Sequence, residues 1–220
     1  MSESSSRFSR GVLDPIERIS EILFGLIMAL TFTGTLSVAS AGRAEVKEML
    51  LGAIGCNLAW GLVDGVMYLI ACIVERGRNL RTFWAVCRAA DPESGQQVLA
   101  GALPPVVASI LGRDELESMR QRLKQLPNPP ERPRFQADDF GGAFACFLLV
   151  SLSTFPLVVP FIFIHDIGTA LRASNGIAIL MLFLGGFALG NYAGYRRWRM
   201  GLGMVVLGVA LVGITIALGG

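Results

Sequence analysis

The chain has 220 residues, of which 53% are hydrophobic and only 16% charged, with a formal net charge of +2. Soluble domains carry about 25% charged residues, so with a mean hydropathy of +0.57 a soluble globular domain is excluded. The small positive balance calls for no nucleic-acid partner. Met1–Ser20 is polar and contains Asp14 and Glu17, an order unlike that of a cleavable signal. The first apolar segment is therefore expected to stay in the mature protein.

That segment is Ile22–Gly42, free of Asp, Glu, Lys and Arg and long enough to span as a helix. Asp14, Glu17 and Glu21 stand at its entrance. Glu17 and Glu21 are spaced i,i+4 and share a helix face, where like charges repel unless a cation or a proton intervenes. The other reading is an acidic first turn favoured by the helix dipole. Met28 follows two turns beyond Glu21 on the same face. Gly25, Ala29, Thr33, Ser37 and Ala41 form a small-residue stripe that predicts close helix packing.

The second apolar run, Met49–Val74, has Asp64 near its middle. A carboxylate there costs on the order of 2.5–3.5 kcal/mol even on mild insertion scales, and marks an ion or proton pathway. A structural Asp bonded to a neighbouring helix is the competing reading. Asn57 lies seven residues earlier on the same face, and Met67 lies three residues later. Carboxylate and amide oxygens suit Mn(II) and Fe(II), and thioether sulfur adds selectivity against harder ions. Either methionine alone reads equally as packing filler. Together, Glu17, Glu21, Met28, Asn57, Asp64 and Met67 form the expected metal-ligating set.

From about Glu75 to Asp139 the chain turns polar. Pro92 to Leu111 predicts a helix broken at Pro104-Pro105. Arg113 to Leu126 predicts an amphipathic helix with acids first and bases last, as the dipole prefers. The strip from Pro127 to Pro133 reads as a stiff spacer. Three further spans follow: Phe140–Ile164, Ala173–Tyr195 and Met200–Gly220. The first contains Ser151, Ser153, Thr154, Pro156 and Pro160, and broken helices of this kind line transporter sites. His165 and Asp166 close its outer end, either as a release point or as a solvated cap. Gly186, Gly190 and Gly194 form a double GxxxG. Cys56, Cys72, Cys87 and Cys146 make no CxxC pair and read as small apolar residues.

Lys and Arg fix the expected orientation. Arg7, Arg10 and Arg18 precede the first span, ten lie from Arg76 to Arg134, and Arg196, Arg197 and Arg199 follow the fourth. Only Arg43, Lys47 and Arg172 fall on the opposite side. The expected fold is thus an all-α integral membrane protein with five spans and a cytoplasmic N-terminus. Its regions are 1–74, a helical cytoplasmic insert at 75–139, and 140–220. With no transit or cleaved signal, a bacterial inner membrane is the expected host. No motif for covalent chemistry is present, so an enzyme is not expected.

Pro156-Leu157-Val158-Val159-Pro160-Phe161-Ile162-Phe163, the glycine-rich Leu184 to Gly190 followed by Arg196-Arg197, and the small-residue stretch Gly201–Gly220 resemble the vacuolar iron transporter (VIT) family. Ser20-Glu21-Ile22 stands where that family carries Ser-Asp-Gly. Asn57 falls about where it carries a Glu. After Glu75 and Asp91 the insert holds only Glu93, Asp114, Glu115, Glu117 and Glu131, with Met119, before Asp138, where the iron-handling members are Glu-rich and bind metal. The resemblance implies a homodimer that exports Fe(II) or Mn(II) from the cytoplasm in exchange for protons. The metal is then cargo, and no resident cofactor is expected. Two other classes stay open: a membrane scaffold whose basic insert (Arg76, Arg78, Arg81, Arg88) binds anionic lipid or a protein, and a proton-coupled carrier of a small organic solute.

Overall fold

The computed structural model describes residues 15–35, 43–126 and 130–217, and every regular element among them is helical. In chain order these are α1 (Pro15–Thr35), α2 (Arg43–Arg88), α3 (Pro92–Ala102), α4 (Pro105–Ile110), α5 (Arg113–Lys124), α6 (Ala137–Ser153), α7 (Phe155–Phe163), α8 (Ile167–Tyr192) and α9 (Arg197–Ala217). Four stretches are long and apolar enough to cross a membrane: α2, α6 with α7, α8 and α9. The expected first span is represented by α1 as far as Thr35. Its remainder, with Ser37 and Ala41, lies outside the described residues, as does Asp14.

The chain divides into two compact units, one of residues up to Tyr68 together with Asp138 onward, the other Leu69–Ala137. In the first, α1 supplies Leu23, Leu26, Ala29 and Leu30 to a core completed by Leu157 of α7 and by Ala178 and Leu182 of α8. Met204, Val205 and Val212 of α9 pack against it. Outside this core, α2 exposes Leu51, Leu58, Leu62, Val63, Val66, Met67 and Ile70. A row of large apolar side chains open on one helix is a surface for lipid rather than for water.

Since lipid removes the hydrophobic drive between spans, backbone proximity must hold them together. Three glycines permit it at α6. A Cβ on Gly25 would stand 2.8 Å from the Val150 carbonyl, one on Gly61 2.9 Å from the Phe147 carbonyl, and one on Gly65 2.9 Å from the Ala143 carbonyl. The double GxxxG of α8 is used within the chain as well. A Cβ on Gly186 would meet the Met200 carbonyl at 2.8 Å, and one on Gly190 would meet Arg197 Cα at 3.0 Å. Gly194 belongs to the turn instead, where its φ of 69° ends α8 in the left-handed region.

The third span is interrupted, as its prolines led us to expect. α6 stops at Ser153 and α7 starts at Phe155, with the Thr154 carbonyl accepting from Leu157 N at 3.1 Å and Val158 N at 3.3 Å. Ser174 of α8, wholly buried, donates to the Leu157 carbonyl at 2.8 Å and ties the broken segment to its neighbour. In the loop before α8, Asp166 accepts from Thr169 N at 2.8 Å as a helix cap, and His165 is exposed.

The expected boundary at Glu75 falls inside a helix. α2 runs unbroken for 46 residues, about 69 Å at the usual helical rise. Gly77 alone is too weak a breaker to end it, and the exposed Glu75–Arg78 pair, at 2.8 Å, lies along the same stretch. The helix ends only where Asp91 caps α3, its carboxylate accepting from Ser94 N at 2.7 Å with Pro92 at the first turn.

In the Leu69–Ala137 unit, α3 and α5 are joined at Glu117, which Arg120 holds in place. Its guanidinium, 8% exposed, grips Glu117 through Nε at 2.8 Å and Nη2 at 2.6 Å. Gln96 of α3 donates to the same carboxylate at 2.9 Å. The Arg120 hydrogen bonds, then those of Gln96 and Gln121, hold Glu117 down to about 2. A depressed carboxyl stabilises the fold at pH above its ordinary value of 4.5, and that contribution is lost as pH falls from there through about 2. Hydrogen-exchange protection of α5, followed in the full chain, is expected to fall over that interval. Glu117→Gln should flatten the dependence, and a wild-type profile already flat there would remove this bond set as a stabiliser.

Candidate functional site

α1 and α2 form an antiparallel hairpin that sets Glu21 beside Asp64 and Gly25 beside Asn57. Glu21 and Asp64 are near enough for the charge of Asp64 to act on Glu21. Two neighbouring carboxyl groups favour a proton or a cation between them. Asp64 Oδ2 is buried and has no protein partner. The acidic pair is therefore formed between helices. Glu17 is exposed at the end of α1, yet near enough for its charge to act on Glu21.

Two turns along α2, Asn57 is 1% exposed. Its Nδ2 donates to the Gly25 carbonyl at 3.1 Å and to Thr154 Oγ1. One amide thus ties α1, α2 and the break between α6 and α7. Its Oδ1 is left unpartnered, as is Ser151 Oγ, which would stand 3.0 Å from a Cβ on Gly61. Asn57, Gly61 and Asp64 follow one another on a single stripe of α2, so all three orphaned oxygens face the same seam. Buried polar atoms are almost always paired, and each exception calls for a ligand, water or function.

The sulfur atoms fall differently from expectation. Met67 is 55% exposed and belongs to the outer face of α2 with Val63 and Ile70. Met28 is half-buried on α1. Cys146, expected to be apolar filler, is 1% exposed on α6 and within electrostatic reach of Glu21, Glu17 and Asp64. Cys146, Ser151 and Thr154 were not part of the expected ligand set. The hydroxyls of the proline-broken span were the available signal. Cys146 carried none, because nothing in a single apolar run says which face a cysteine takes.

No group of three or more His, Cys, Asp and Glu among the described residues is arranged to hold a metal ion. The seam offers two carboxyls with amide, hydroxyl and thiol neighbours, a set of low charge. In the insert the acids serve the fold: Glu115 accepts from Gly112 N at 2.7 Å at the start of α5, Glu93 pairs with Arg113 at 3.4 Å, and Glu117 is taken by Arg120.

Compared with known proteins, residues 96–220 match a family model described as the VIT family. The match runs from α3 through the last three spans, so the hairpin bearing Glu21 and Asp64 lies before it. No curated protein matches the chain.

Proposed function

The chain belongs to the VIT family, and on that premise we propose that it carries a divalent transition metal, Mn(II) or Fe(II), out of the cytoplasm in exchange for protons. The observation that carries the reading is the Glu21–Asp64 pair, set beside the unpartnered oxygens of Asn57, Asp64 and Ser151. A carboxyl pair holds one divalent cation or the protons that replace it, which is the chemistry of antiport. Two carboxylates without a full cage bind weakly enough to release, as conduction requires. Metal would enter past Glu17, and the α6–α7 break would change the access to the seam. The oxygen donors favour Mn(II). Cys146 is the neighbour that would favour Fe(II).

The fifth span, the cytoplasmic N-terminus, the homodimer and the bacterial inner membrane belong to the same proposal, supported by the distribution of Lys and Arg and by the resemblance. Tyr192, Tyr195 and Trp198, exposed around the α8–α9 turn beside Arg196, Arg197 and Arg199, suit a membrane interface.

The test is flux in liposomes. Purified protein should move Mn(II) or Fe(II) only along an imposed pH gradient, with a matching proton current. Metal flux indifferent to the gradient would remove antiport. No flux of either metal from well-folded protein would shift the reading to a scaffold or a carrier of organic solutes.

A further inference from the structure

We propose that the turn between α8 and α9 holds an anionic phospholipid, its headgroup recognised by Arg196 and Arg199 and flanked by the rings of Tyr192, Tyr195 and Trp198. Arg196, Arg197 and Arg199 fall within one short stretch, and no Asp or Glu follows Asp166 in the sequence. Arg197 lies over the Phe187 ring, 5.9 Å from its centroid. Arg196 and Arg199 are exposed, and among the described residues no carboxylate pairs with either. They stand one turn apart, Arg199 N donating to the Arg196 carbonyl at 3.0 Å, a spacing at which like charges repel. Helix energetics do not call for them, because the dipole disfavours cations at the start of a helix. α5 follows that preference, with Asp114 and Glu115 first and Arg122 and Lys124 last. α9 has no acid in its first turn. An anion at the turn relieves both conflicts.

Position selects a lipid. α8 and α9 are each long and apolar enough to cross a membrane, and only residues 193–196 join them. Four extended residues reach about 14 Å, so a loop that goes out and returns rises about 7 Å. That is no farther than the headgroup layer, about 5–7 Å thick. The crossing of the bilayer by these two helices is the one premise shared with the transport reading. The turn also carries two of the chain's three tyrosines and one of its three tryptophans, all exposed. Rings with one polar end settle at headgroup level. Trp198 is set there by Phe183 and Phe187, its ring centroid 5.3 and 5.6 Å from theirs. Farther along the two helices, Leu184 and Leu202 are exposed and offer contact for acyl chains. The rings alone would take a choline headgroup through cation–π contact. Two unpaired guanidinium groups beside them reverse that preference and favour net negative charge.

Trp198 reports on the site once Trp60→Phe/Trp84→Phe removes the other two tryptophans of the full chain. The protein is placed in vesicles of equal phosphatidylglycerol and phosphatidylcholine, with bromine on the acyl chains of one lipid or the other. Quenching of Trp198 fluorescence then reads which lipid lies beside the turn. Phosphatidylglycerol is expected to be favoured by about thirtyfold, the product of two juxtamembrane arginines. Adding Arg196→Gln/Arg199→Gln should abolish that preference. Arg122→Gln/Lys124→Gln, which removes as much charge from exposed positions of α5, should keep it. Excess glycerol 3-phosphate should leave it unchanged. Equal quenching by the two lipids, quenching by neither, equal loss in the two double variants, or displacement by the soluble phosphate would each overturn the proposal. None of these outcomes depends on whether metal is transported.

Discussion

Asp64→Asn lowers gradient-driven Mn(II) or Fe(II) flux by about a hundredfold and leaves the protein at least as stable as the wild type. The flux loss follows from removing a charged ligand, an interaction worth about 3 kcal/mol, or roughly two decades in an equilibrium. The stability follows from the opposite sign of the same charge. A carboxylate at that depth costs on the order of 2.5–3.5 kcal/mol, and the amide removes that cost while Glu21 keeps a hydrogen-bonding neighbour. A residue that stabilised the fold would give the reverse pattern, a lower melting temperature with flux retained. Wild-type flux in a folded Asp64→Asn protein would rule out the seam as the transport site.

The largest effect on stability is expected at Gly61. A Cβ there meets the Phe147 carbonyl at 2.9 Å and Ser151 Oγ at 3.0 Å, so Gly61→Val must drive α2 away from α6. Overpacking costs about 1–3 kcal/mol, and a carbonyl cannot turn aside as a side chain can. The melting temperature in detergent should fall by about 5 °C or more. Gly55→Val, on the same helix with nothing within 4 Å of its Cβ, should leave it unchanged. A matched pair of melts decides the matter, and equal melting of the two variants would mean that the α2–α6 approach is not held by its glycines.

Much of this fold is legible in the sequence because the membrane imposes few solutions. Runs such as Ala173–Tyr195 must be helices, and Pro104-Pro105 and Pro156 must interrupt theirs. Asp64 announces itself, since a charge inside an apolar run has no cheap explanation. What the sequence hides is pairing across helices. The i,i+4 spacing of Glu17 and Glu21 suggests a pair along one helix, but Glu21 meets Asp64 of the next. Met67 has the spacing of a ligand and the exposure of a lipid contact, because periodicity gives a helix its faces without saying which one is turned inward. The Gly25 stripe is readable as a packing face, but the Val150 carbonyl that Gly25 admits is not.

The unbroken α2 has a mechanical consequence. Its last residue, Arg88, stands 24 positions beyond Asp64 in one continuous helix, a lever arm of about 36 Å at the helical rise. A tilt of roughly ten degrees pivoting at Asp64 sweeps Arg88 through about 6 Å. A long helix resists bending where no proline or bulge offers a joint. Any tilt of α2 at the level of Asp64 is then written, in amplified form, at the far end of the rod.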